Sequence, residues 1–104
     1  MHEQITMLNE ETYEGYVSET DCMVIFFKSK CPNCKVLLKV MEKVKARQPD
    51  ISMAAISSED DEAVATEQDI SRVPTVLVYK GGKAMARRTG VMKPPELEAL
   101  YAGA

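Results

Sequence analysis

The chain is predicted to form an α/β fold, a mixed central sheet with helices on both faces, in the order β-α-β-α-β-α-β-β-α. Three observations predict it. Short apolar runs of strand length alternate with segments whose apolar residues recur at helical spacing, which implies parallel strands joined through helices. A Gly-Gly pair separates two later strand-like runs, which implies an antiparallel hairpin at one edge. The chain has 104 residues, 45% hydrophobic and 28% charged, the size and mix of one soluble domain, taken as residues 1–104.

Ile5–Met7 is the first strand. Asn9 then offers a helix N-cap, with Glu10 and Glu11 in the first turn of a helix running to about Ser18. Met23–Lys28 (MVIFFK) is apolar and bounded by polar residues, the pattern of a buried central strand. Pro32–Arg47 is a long helix. Pro32 occupies its first position, where the missing N–H costs nothing. Val36, Leu37, Val40, Met41 and Val44 give it an inner face, and Pro49 lies just past its end. Ile51–Ile56 is a further strand, and Glu59–Asp69 an acidic helix with Ala63 and Val64 inward. Thr75–Lys80 and Lys83–Arg88 are hairpin partners across Gly81-Gly82. Pro94 and Pro95 open a last helix through about Ala102.

The formal charge of −3 argues against a nucleic-acid binder. No run approaches the ~18–20 apolar residues of a membrane span. Met1–Asp21 is acidic and has no apolar h-region, so a cytoplasmic address is expected. The acidic run Glu59–Glu62 lacks the glycine and terminal Glu of a calcium loop and reads as a helix start. The methionines read mostly as core gap-fillers, with Met92 the exception because its loop is placed beside the cysteines, and His2 carries no signal.

The three cysteines are Cys22, Cys31 and Cys34. In a reducing compartment a close pair is more often catalytic or metal-binding than structural. Cys31-Pro32-Asn33-Cys34 lies between a predicted strand and a predicted helix, and residues three apart in a first helical turn face the same side. Cys31 is placed at the helix N-terminus, where free N–H groups and the macrodipole favour a thiolate, the nucleophilic form. Cys34 is one turn further in and is expected to keep its proton longer and act as the resolving thiol. A zinc site needs about four ligands, and the remaining candidates are Cys22 and His2. Cys22 is placed at the far end of the strand, roughly 20 Å away at ~3.3 Å per residue. No metal is expected, and Cys22 reads as a small core residue.

With these residues in view, the chain resembles the thioredoxin superfamily, over essentially its whole length. One signature is the apolar strand, C-x-x-C and long helix. Arg72-Val73-Pro74-Thr75 before a strand looks like the family's cis-proline loop facing the cysteines. Gly90, sixteen residues after Pro74, stands where the family has a glycine before its last helix. The resemblance implies that Val73, Pro74, Thr75, Gly90, Val91 and Met92 form the substrate-binding surface. The backbone of Val73 would pair with an extended substrate by strand addition.

The departures are specific. Thioredoxins typically carry W-C-G-P-C-K, whereas this chain reads Lys30-Cys31-Pro32-Asn33-Cys34-Lys35 and has no Trp. It is similar to atypical thioredoxins with a C-P-x-C site. The family's buried Asp, thought to move a proton for the resolving thiol, aligns with Ile25. The nearby strand Lys aligns with about Ala55 and the helix-kinking Pro with Lys39. Lys28-Ser29-Lys30-Cys31-Pro32 also resembles the glutaredoxin pattern, in which a Lys three residues before the first Cys contacts glutathione. Against that, Gly90-Val91-Met92-Lys93 replaces the glutaredoxin Gly-Gly-x-Asp, and residues 4–18 match the extra strand and helix of thioredoxins.

Seven basic residues from Lys28 to Arg47 stand against Glu42 alone. Most belong to a solvated helix face. Lys28, Lys30 and Lys35 are near enough to lower the Cys31 pKa. The expectation is a cytoplasmic, monomeric thiol–disulfide oxidoreductase that reduces protein disulfides by dithiol–disulfide exchange, with Cys31 attacking and Cys34 resolving. It needs no bound cofactor, and the resemblance implies a thioredoxin reductase as electron donor. The alternatives are a glutathione-linked, glutaredoxin-like oxidoreductase and a non-catalytic thioredoxin-like binding module.

Overall fold

The computed structural model describes residues 5–104; His2 lies outside them. The elements are β1 Ile5–Leu8, α1 Tyr13–Glu19, β2 Cys22–Phe27, α2 Pro32–Arg47, β3 Ser52–Ser57, α3 Glu62–Glu67, β4 Thr75–Lys80, β5 Lys83–Thr89 and α4 Pro94–Ala102. This is the order expected from the sequence. The five strands form one sheet in the order β1-β3-β2-β4-β5. β1 and β2 run parallel to β3, while β4 is antiparallel to both β2 and β5.

The strands alternate their side chains between two cores, as pleated strands must. Met23 and Ile25 of β2 join Met53, Val76, Val78, the α2 residues Leu37, Leu38, Met41 and Val44, and Leu97 of α4. Cys22, Val24 and Phe26 turn to the other face and pack with Tyr13, Val17, Ile56, Val64, Ala65, Leu77 and Tyr79, beneath α1 and α3. Cys22 to Phe26 are therefore buried on both faces of the sheet. That explains a continuous apolar run where an exposed strand would alternate.

Four local expectations are corrected. Asn9 does not cap α1 directly. Its side chain accepts hydrogen bonds from the N–H groups of Glu11 (2.9 Å) and Thr12 (3.0 Å), closing a turn that precedes the helix. In α2 the inner face holds Leu38 and not Val36, which is 46% exposed. Both are apolar, so spacing alone could not set the helix phase within one residue. In α3 the inward pair is Val64 and Ala65, and Ala63 is exposed. Glu59 to Asp61 form a turn ahead of a shorter α3, with Asp61 at its N-cap. The hairpin is as expected: Gly81 (φ 62°) and Gly82 (φ 79°) are both left-handed, the conformation a two-residue turn of this type demands.

The phase of α2 is measurable. Leu37→Ala removes a fully buried side chain and is expected to cost about 2–5 kcal/mol. Val36→Ala should stay within about 0.5 kcal/mol. Urea denaturation of both variants measures the difference; equal costs would place the helix in the wrong rotation.

Candidate active site

β2 ends at Phe27, and the chain crosses four residues to start α2 at Pro32. Cys31 is the N-cap of α2 and has extended backbone. Its sulfur accepts a hydrogen bond from the Cys34 N–H at 3.1 Å. The side chain thus sits on the free N–H groups of a helix start, where negative charge on sulfur is favoured. Pro32 at the first helical position supplies no N–H of its own. Cys31 and Cys34 form a disulfide with Cα atoms 5.2 Å apart. Cys31 is partly exposed and Cys34 is 1% exposed. Of the two, solvent reaches Cys31.

Lys28, Lys30, Pro32, Asn33 and Lys35 are all exposed around this pair. Ile25 is fully buried in the core beneath α2, in one cluster with Leu37 and Leu38, and its neighbours across the sheet are Ala55 and Val76. Among the described residues the buried polar or charged side chains are Ser57, Ser58 and Thr75. No buried carboxylate, lysine or histidine among the described residues stands near the thiols.

A second segment reaches the same end of the sheet. Phe26 of β2 is level with Thr75 of β4, so Val73-Pro74 arrives beside the end of β2, where the cysteine loop begins. The Val73–Pro74 peptide bond is cis, as the resemblance implied. Pro74 is buried and Val73 partly exposed. The Thr75 hydroxyl donates to the Arg72 carbonyl at 2.7 Å and shares a 3.0 Å hydrogen bond with the Thr89 hydroxyl. The Pro74 carbonyl accepts from the Gly90 N–H at 2.9 Å. Gly90 has φ 101°, a backbone conformation that favours glycine. These bonds tie the loop of Gly90, Val91 and Met92 to the proline loop. Val91 is exposed, while Met92 is buried in the α2 and α4 core.

One residue of this neighbourhood escaped the sequence reading. The acidic run places Glu59 at a helix start, yet its Oε1 accepts the Ser29 N–H at 2.7 Å. Hydrogen bonds from Ser29, its side chain first and its backbone second, hold the carboxyl below the usual carboxylate range, and the charges of Lys28 and Lys30 push the same way. The available signal was the pairing of β2 with β3: Phe27 is level with Ser57, so the turn after β3 must lie beside the loop after β2. The same turn borders a cleft of about 390 Å³ lined by Met7, Leu8, Phe27, Ser29, Glu59 and Asp60, among others.

Cys22 is a free, fully buried thiol at the opposite end of β2. Burial, with the charge of Asp21 adding, pushes it up to about 12. Among the described residues no cluster of His, Cys, Asp and Glu could hold a metal ion. No described helix is long and apolar enough to cross a membrane.

A partly exposed and a buried cysteine, joined at a helix N-terminus beside a cis-proline loop, define a dithiol redox site. The family model for thioredoxin matches residues 4–102, and the chain belongs to that family, whose members are thiol–disulfide oxidoreductases. It is 37% identical to the mitochondrial thioredoxin of Bos taurus over 84 residues, 80% of this chain and 51% of that protein's length. Its structure is similar to the solution structure of reduced desulfothioredoxin from Desulfovibrio vulgaris Hildenborough, with a TM-score of 0.79, 35% identity and coverage of 93% of this chain and 90% of that one. The crystal structure of oxidised mitochondrial thioredoxin 3 from Saccharomyces cerevisiae shares the fold with a TM-score of 0.88, at 21% identity over 99% and 98% of the two chains.

Two outcomes follow for the thiols. Mild oxidation and peptide mapping should yield a reversible Cys31–Cys34 link with Cys22 outside it; a Cys22 link in the monomer would contradict the geometry. Cys22 is neutral in the fold and ionises near pH 8.5 when unfolded. Its contribution to stability is complete below that value and is lost as pH rises toward about 12. Denaturation midpoints of Cys22→Ala should therefore fall less steeply above pH 8.5 than those of the unsubstituted protein.

Proposed function

We propose that the protein reduces protein disulfides by dithiol–disulfide exchange, with Cys31 attacking and Cys34 resolving. The Cys31 thiolate attacks one sulfur of the substrate disulfide; that bond breaks, and the other substrate sulfur leaves as a thiolate. Cys34 then attacks Cys31, the mixed disulfide breaks and the second substrate thiol is released. The substrate gains the two electrons that the Cys31–Cys34 pair loses, and two protons pass with them. A thioredoxin reductase would return the electrons. The working form in this reading is a monomer in a reducing compartment, the cytoplasm. The observation that carries it is the N-cap: the exposed sulfur receives the helix N–H, and the buried one lies behind it.

Val73, Gly90 and Val91 are proposed as the substrate surface, with Pro74 and Thr75 buried behind it as its frame; Met92, expected on that surface, is instead buried in the core and supports the loop from beneath. In support, the two loops are bonded to each other and meet the cysteine loop at one end of the sheet. Val73 and Val91 offer apolar contact there.

The glutathione-linked alternative rests on Lys28. β1 and α1 favour the thioredoxin plan. Insulin-type disulfide reduction with dithiothreitol or a thioredoxin reductase is expected, with weak turnover by glutathione. Cys34→Ser should abolish turnover and accumulate a mixed disulfide at Cys31. Strong glutathione-dependent activity lost in Lys28→Ala would reverse the ranking, and absence of both activities would favour a binding module.

Ile25 supplies no internal base. Ile25→Asp is expected to speed resolution of the mixed disulfide near neutral pH, since a buried carboxylate can relay a proton. It should also lower stability, because the new group has no partner in the core. Stopped-flow decay of a mixed disulfide across pH, with denaturation alongside, measures both effects. Equal decay at every pH would show that position 25 does not serve Cys34.

A further inference from the structure

Glu59 belongs to a turn that has no part in the exchange chemistry, yet it is bonded into the loop that carries Cys31. The attachment is double. The Ser58 N–H donates to the Phe27 carbonyl at 2.8 Å, and the Ser29 N–H donates to the Glu59 carboxylate at 2.7 Å. Two consecutive residues of one turn therefore hold both ends of the Phe27–Ser29 segment, which ends two residues before Cys31. The partners are thirty residues apart in sequence, so this is a tertiary clamp and not a local turn. The carboxylate also lies where the charges of Lys28 and Lys30 act on it.

We infer that Glu59 is a positioning residue for Cys31: it clamps the active-site loop at Ser29 and lessens the pull of Lys28 and Lys30 on the Cys31 thiolate. This rests on the reading that Cys31 is the attacking thiol. Other charged groups on the segments bordering the loop are Lys35 on α2, Asp60 and Asp61 beyond Glu59, Arg72 ahead of Pro74 and Lys93 ahead of α4. Among the described hydrogen bonds, Asp61 is engaged by the Glu10 N–H at 3.1 Å, and Glu59 alone of these carboxylates reaches the cysteine loop. A lysine pair next to a helix N-terminus would push a thiol far toward the thiolate. A thiol of very low pKa is a poorer nucleophile and leaves a more oxidising couple. Glu59 moderates that drift while fixing the loop from which the sulfur projects.

Two variants separate clamp from charge. Glu59→Gln keeps an acceptor for Ser29 and removes the charge, and Glu59→Ala removes both. The readouts are the pH profile of Cys31 alkylation by iodoacetamide in the reduced protein, equilibrium with a glutathione redox buffer, and amide exchange at Ser29. Both variants should move the alkylation midpoint down by roughly 0.3 to 0.5 pH units, the size of one screened charge several ångström away. That shift should shrink at ~1 M salt, where screening reaches about 3 Å. The glutathione equilibrium should move about two- to threefold toward the dithiol, in line with the same charge effect. Ser29 exchange should quicken most in Glu59→Ala. Quickened exchange with an unchanged pH profile and equilibrium in both variants would mean a purely structural turn and overturn the inference. Preferential alkylation of Cys34 in the unsubstituted protein would remove the underlying reading of the thiols, and the inference with it.

Discussion

The burial of β2 on both faces is the constraint from which the rest follows. A strand with no exposed side must lie inside the sheet and be flanked by neighbours on each edge. Here β3 lies on one side and β4 on the other. The parallel partner on one edge and the antiparallel partner on the other mean that only certain segments can meet the end of β2. The turn after β3 arrives there because β3 points the same way, and the segment before β4 arrives because β4 points back. The cysteine loop, the Glu59 turn and the Val73-Pro74 loop therefore converge without any of them being near in sequence. In open α/β sheets the carboxyl ends of strands, at the point where the order reverses, are the usual place for a site. The order β1-β3-β2-β4-β5 puts that point at β2.

The same arrangement makes two cysteines of one motif chemically unequal. Cys31 lies outside the helix, where its sulfur meets an N–H of the first turn and solvent. Cys34 lies inside the first turn, covered and without a charged neighbour in the core. Only Pro32 and Asn33 separate a sulfur that meets a helix N–H and solvent from one enclosed by the fold. The helix start and the buried face supply that asymmetry. The surface then adjusts the exposed partner. Lys28 and Lys30 add to the helix field, and the Glu59 carboxylate subtracts from it.

Most of this was legible in the sequence. Period-2 and period-3.6 patterns, Pro32 and the Gly81-Gly82 turn located the elements, since each reflects a local backbone requirement. The cysteine pair and the proline loop stood out because few arrangements other than this one explain both. What was not legible involved choices between chemically similar residues or contacts across the sheet. Val36 and Leu38 are both apolar, so the rotation of α2 depended on packing. Ala63 and Ala65 are identical in kind, and only the shorter span of α3 decides which faces inward. Glu59 looked like part of an acidic helix start, because a carboxylate near a helix N-terminus is favoured by the dipole. Its actual partner, Ser29, is set by strand pairing, which composition does not reveal.

The absence of a buried carboxylate among the described residues ties stability to chemistry. Ile25 shares its cluster with Met23, Leu37, Leu38 and Met92, and an aliphatic side chain there keeps the core beneath α2 free of polar groups. A carboxyl group in that place would cost free energy unless hydrogen-bonded. In a chain of 104 residues the core is modest, so one unpaired polar group weighs heavily against a total stability of about 5–15 kcal/mol. The aliphatic solution favours the folded state and transfers the proton problem to the exterior. In the proposed exchange Cys34 would lose its proton to water, to the substrate's leaving thiolate or to another group outside this core. In that reading resolution would depend on how the substrate sits at the mouth formed by the cysteine and proline loops. A substrate holding its leaving thiolate close to Cys34 would be resolved quickly, and one that does not would wait on solvent. The sheet that buries Ile25 would then make the partner part of the proton relay.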